Sequence, residues 1–101
     1  MNMNIQSLMR EAQKVQKDLQ KTQEELEKTN YEGVSSLVKV VMNGNKKVIS
    51  VSLNSDEVIE PDDFELLEDM IMVAFNDASN KVDKDKEKKL GKYGQGLSGL
   101  M

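Results

Sequence analysis

Apolar side chains enter the chain at Ile5, Leu8, Ala12, Val15 and Leu19, give way to Thr22, and return at Leu26. Steps of three and four alternate, the a/d pattern of a heptad with one polar position. The spacing predicts a helix over about residues 4–29, roughly 39 Å long at 1.5 Å per residue. A compact domain of this size has a radius of gyration of only ~13 Å. Such a helix must project from the body or lie along a partner.

The period then drops to two. Val38, Val40 and Met42 alternate on one predicted strand, and Ile49, Val51 and Leu53 on the next. Asn43-Gly44 between them tolerates positive φ and signals a hairpin. A two- or four-residue loop sets Val38 and Val40 opposite Ile49, Val51 or Lys47, whereas a three-residue loop sets Val38 against Ser50 and mismatches the faces. The even loop is therefore expected. Residues 31–35, YEGVS, read as a further short strand that breaks near Ser35-Ser36. Pro61, Asp62 and Asp63 then start a second long helix over about 62–90, with Glu65 three residues after Asp62 as a capping signal. Its early half, LLEDMIMVAF over 66–75, is apolar on more than one face and should be buried on more than one side. After Val82 lysine replaces the apolar pattern.

These elements predict an α+β fold: a long N-terminal helix, a small antiparallel three-stranded sheet and a long C-terminal helix, in the order α-β-β-β-α. The chain of 101 residues makes one domain. That domain is expected to span residues 1–90. Residues 91–101 hold four of the six glycines and are expected to form a disordered tail. Composition makes the core thin, with 38% apolar residues, 32% charged residues and only Tyr31, Phe64, Phe75 and Tyr93 as aromatics. So little apolar surface scarcely offsets chain entropy. The central helix, moreover, has more apolar faces than the chain can cover. A second copy is the simplest cover.

The absence of Cys and His removes disulfides, His/Cys zinc sites and a catalytic triad with a conventional base. The acidic span 54–65 ends in Glu65 like a calcium loop, but Val58 stands where an acid is needed and Ile59 where glycine is needed. Neither GxxxxGK[ST] nor GxGxxG occurs. The chain is read as no enzyme, with no cofactor, metal or small-molecule substrate. Its opening segment lacks the apolar region of a secretory signal, and no apolar run approaches the ~20 residues of a membrane span. The expected location is the cytoplasm, without membrane attachment.

Charge is where function surfaces. The net charge of −4 hides a partition: residues 31–80 carry −7, and residues 81–101 carry +3. Lys81, Lys84, Lys88 and Lys92 recur at three- and four-residue steps, with Lys89 beside them. The helix macrodipole and an i,i+4 pair of Asp85 with Lys89 together account for one or two such cations. The remaining stripe of like charge gains most from an external anion. A second stripe, Arg10, Lys14, Lys17 and Lys21, lies on the first helix opposite its apolar seam. An ordinary solvated helix face explains this second stripe alone, but two stripes in an acidic protein point to phosphate contacts, which supply affinity without sequence information. One Arg, no His and no helix-turn-helix or finger spacing argue against a sequence reader. Asn76, Asn80 and Gln13 are better read as structural than as base contacts, and Tyr93, which could stack on a base, is better read as having no role.

Three stretches together resemble the YbaB/EbfC family of bacterial nucleoid-associated proteins. They are LMREAQKVQKDLQKTQEEL over 8–26, LVKVVMNGNKKVISVSL over 37–53, and LEDMIMVAFNDASNKV over 67–82, with AFND at 74–77 the most diagnostic. The resemblance implies an intertwined homodimer whose helices project as a tweezer around double-stranded DNA, in the nucleoid. It implies chromosome organisation, with modulation of transcription as a further role. Placed on the family's DNA-contacting elements, the DNA-binding candidates are Arg10, Lys14, Lys17, Lys21, Lys81, Lys84, Lys88, Lys89 and Lys92. The tail lacks the proline- and phenylalanine-containing ending common in the family. A second architecture stays open here: helix–hairpin–helix also describes a prefoldin-like chaperone or coiled-coil adaptor that binds protein and ignores DNA. That architecture would continue the seam of Ala74, Ala78 and Val82, where this chain has Asp85 and Lys89.

Overall fold

The computed structural model describes residues 4–93. The elements follow the expected order: α1 over Ile5–Lys28, β1 over Asn30–Ser35, β2 over Val38–Asn43, β3 over Val48–Leu53 and α2 over Phe64–Leu90. A 3-10 turn at Pro61–Asp63 leads into α2, and another at Gly91–Tyr93 follows it. Part of the predicted tail thus has a defined turn. The rest, 94–101, lies outside the described residues. At the start of α1 the Asn4 side chain accepts from the Gln6 N–H at 3.0 Å, a cap for an otherwise orphan donor. At the start of α2 the reciprocal bond sits earlier than the sequence suggests. The Glu60 N–H donates to the Asp63 carboxylate at 3.1 Å, in place of a contact between Asp62 and Glu65.

The sheet is antiparallel in the order β1-β2-β3. Val40 faces Val51 and Val38 faces Leu53, the parity expected. It is reached by two compensating steps. Asn43 and Lys47 close the hairpin by a backbone bond of 3.0 Å around a tight turn, and Met42 then faces Val48. That register taken alone would mismatch the faces. A bulge between Val41 and Met42 inserts Ile49 as an extra residue and restores them.

α2 packs across β1 and β2 over a core of Val38, Val40, Met42, Ala74, Ala78 and Val82. Close approach requires the small residues: a Cβ added at Gly33 of β1 would land on the backbone of Ala74 and Ala78. Only one face of α2 is buried this way. Ile71, Met72, Val73 and Phe75 remain exposed, as do Val51 and Leu53 on the inner face of β3. The further faces expected to be buried are thus open in the single chain.

α1 touches the body only near its C-terminal end. Leu26 is its one buried residue, seated where Gly44 lets the helix backbone approach the hairpin turn. A groove of about 240 Å³ runs between Gln23, Leu26, Glu27, Asn45, Lys86 and Leu90, so the C-terminal ends of the two helices meet there. α1 is about 36 Å long and α2 about 40 Å, and the molecule extends 75 Å. The helices are therefore laid nearly end to end. The radius of gyration is accordingly 20.2 Å.

Candidate nucleic-acid interface

α1 is exposed from Asn4 through Asp18, so both of its faces meet solvent. On one, Arg10, Lys14, Lys17 and Lys21 recur every turn and are all exposed. None of the four has an ion-pair partner among the described residues. On the other, Ile5 is 70% and Val15 52% exposed, leaving the a/d seam bare. The two helices do not pair along their lengths, as a helical-hairpin chaperone or adaptor would require.

The lysines of α2 share its last four turns with Asp77, Asp83 and Asp85. Lys81 donates to the Glu32 carbonyl at 2.7 Å and pairs with Asp77 at 3.4 Å. Lys89 pairs with Asp85 at 3.0 Å. Lys84 and Lys88 are exposed, without an ion pair among the described residues. Lys92 stands over the Tyr93 ring at 5.2 Å.

The acids have structural partners on the sheet. Asp77 accepts from the Val34 N–H at 3.1 Å, and that bond, more than the Lys81 charge, holds its carboxyl below the usual range. Asp85 accepts from the Tyr31 hydroxyl at 2.5 Å, a bond that lowers its pKa. Burial first, and then the Asp85 carboxylate, push the Tyr31 hydroxyl up to about 12. Asp83 pairs at 2.9 Å with Lys46, which the hairpin turn holds at a left-handed φ of 61°. Asp85 thus continues the line of Ala74, Ala78 and Val82, meeting a tyrosine hydroxyl instead of an apolar side chain. Pattern reading takes it for the end of the seam, because a partner 54 residues away leaves no periodic signal.

At the other end of α2 the charge reverses. Eight carboxylates and no cation lie between Asp56 and Asp69. α2 therefore runs from an acidic end to a basic one, and α1 carries its cations onward from the basic end. α1 as a whole is charge-balanced, five cations against five carboxylates, so it is the face bearing Arg10, Lys14, Lys17 and Lys21 that can hold a polyanion, while the acidic end of α2 repels it. Among the described residues no helix is long and apolar enough to cross a membrane.

Comparison with known proteins identifies the family. The YbaB/EbfC DNA-binding family matches residues 1–97. A nucleoid-associated protein of Ligilactobacillus salivarius (strain UCC118) is 40% identical over 100 residues, covering 97% of this chain and 95% of that protein. One from Lactococcus lactis subsp. cremoris (strain MG1363) is 45% identical over 97 residues, covering 94% and 97%. One from Streptococcus pneumoniae (strain Hungary19A-6) is 41% identical over 93 residues, covering 90% and 93%. With the family matched over nearly its whole length and such relatives on either side, this chain is a member of the YbaB/EbfC DNA-binding family.

Proposed function

We propose that this chain is a non-enzymatic, homodimeric protein of the nucleoid that grips double-stranded DNA between projecting helices, mainly through phosphates. The observation that supports this reading is a row of cations, unpaired among the described residues, along one face of a bare arm, with eight of the eighteen carboxylates gathered between Asp56 and Asp69 at the far end of α2. Such a surface binds by releasing counterions and discriminates little between sequences. It suits organising a chromosome, with effects on transcription following from occupancy.

The second copy is supported by the uncovered apolar surface. Asp77 and Lys81 reach the β1 side of α2, so by helical spacing Ile71, Met72 and Phe75 fall on the β3 side. There they flank Val51 and Leu53, which stay exposed among the described residues. The resulting trough suits the α2 of another copy, and two copies would set two arms as a tweezer.

Fluorescence anisotropy of a labelled mixed-sequence duplex, from roughly 50 to 200 mM salt, tests the reading. Affinity should fall with a log–log slope of about −0.9 per phosphate contacted. Changing Arg10, Lys14, Lys17 and Lys21 together to Gln should flatten that slope. A folded protein that fails to bind duplex at the low-salt end would sink the proposal and turn attention to a protein partner for the α1 seam.

A further inference from the structure

The run from Lys81 to Lys89 interleaves cations and acids so closely that its net charge conceals a division of labour. Asp77 and Lys81 act together at the outer edge of β1. One takes the Val34 N–H at 3.1 Å and the other donates to the Glu32 carbonyl at 2.7 Å. Asp85 holds the Tyr31 hydroxyl from α2 and keeps Lys89 beside it at 3.0 Å. Asp83 takes the Lys46 ammonium from the hairpin turn. Every one of these acids is engaged with the sheet or its turn, and two of the lysines are engaged with the acids.

A lysine so placed gains little from a phosphate. It would exchange one anion for another and leave its carboxylate facing the duplex. Lys81 would also abandon a backbone carbonyl at a strand edge. Lys84 and Lys88 have no such bond to give up. They are exposed and one turn apart, about 6 Å along the helix axis. Each lies close enough to a neighbouring acid to help depress its pKa, Lys84 for Asp77 and Lys88 for Asp85, without closing an ion pair. Lys86 belongs to neither set, being half-buried in the groove that Glu27 also lines.

Resting on the DNA-binding reading above, we infer that the basic end of α2 carries two sets of lysines with separate tasks. Lys84 and Lys88 contact phosphate, while Lys81 and Lys89 are positioning residues: Lys81 fastens α2 to the β1 edge, and Lys89 braces the Asp85 carboxylate that holds Tyr31. The basic surface is thus narrower than the sequence suggests, and the aspartates within it are what fix its position.

The test compares Lys84→Gln/Lys88→Gln with Lys81→Gln/Lys89→Gln in the full chain, by anisotropy against salt and by thermal melts. The first pair should flatten the salt slope by about 2 per protomer and leave the melting temperature unchanged. The second should keep the slope and melt lower. Should the second pair fail to fold, Lys89→Gln alone, which spares the β1 edge, carries the same expectation. Equal flattening by both pairs, or flattening by the second alone, overturns the division while the DNA-binding reading stands. A wild type that binds without salt dependence, or does not bind, overturns that reading and this one with it.

Discussion

Tyr31 joins the first strand to the last turns of α2 through one hydroxyl, and its environment makes a pH signature. The hydroxyl is pushed up to about 12 in the fold, against about 10 in an unfolded chain. A raised pKa means that the neutral form is favoured by folding. The contribution is whole below about pH 10 and is lost as pH climbs toward 12. Tyr31→Phe should therefore lower stability near neutrality, and the gap between it and wild type should close by roughly 2 kcal/mol over that alkaline window. Denaturant titrations at stepped pH measure it, and a constant gap would refute the assignment. Asp77 and Asp85 move the opposite way: their depressed carboxyls stabilise above the ordinary carboxylate range and stop doing so as pH falls through it. At this scale the sequence was least legible. Lys81 and Lys84 look equivalent in a helical projection, and only the strand beside them separates the two. Gly44 reads as half of a turn signal, whereas its position is set as much by the Leu26 backbone resting on it.

Elements were read far better, because each depends on neighbours in sequence. The change from a period near 3.6 to a period of two locates helix and strand. Asn43-Gly44 locates the hairpin, and Pro61 with its acids locates the second helix start. The bulge at Ile49 escaped, since parity arguments assume an unbroken ladder and an inserted residue keeps the faces right by another route. The seat of α1 is an element-scale property too. Gly44→Ala would drive a methyl into the Leu26 backbone, so the arm must tilt or lift while the sheet, built from other contacts, stays intact. We expect circular dichroism close to wild type with DNA affinity reduced about tenfold, roughly 1.4 kcal/mol. Unchanged affinity would show that arm direction does not matter for binding. Gly33 differs, because its neighbour is the core helix itself. Gly33→Ala should cost about 3 kcal/mol of stability and lower the melting temperature.

The whole molecule is an extended rod with a core of few residues, and its charge and apolar surface are both lopsided. Composition foretells the thin core and the need for cover, and the split in charge along the chain foretells the two ends. The end-to-end placement of the helices was out of reach, because nothing local encodes how α1 leaves the body. If Phe75 and its neighbours form the contact between copies, the wild type should sediment as two chains and melt at a temperature that rises with protein concentration. Phe75→Glu should sediment as one chain and melt lower. A wild type of single-chain mass at micromolar concentration would contradict the dimer. The clasp on β1 has a consequence of another kind. Edge strands invite further strands. Here the outward Glu32 carbonyl and Val34 N–H are already taken by Lys81 and Asp77, whereas among the described residues no strand flanks the outer side of β3. A unit reactive on one side only cannot propagate: two such units that join by their open edges have consumed them both. In the polymer chemist's vocabulary the clasp is a chain terminator: with it, any joining by strand edges would stop at two units, and without it such joining would have a second edge from which to grow.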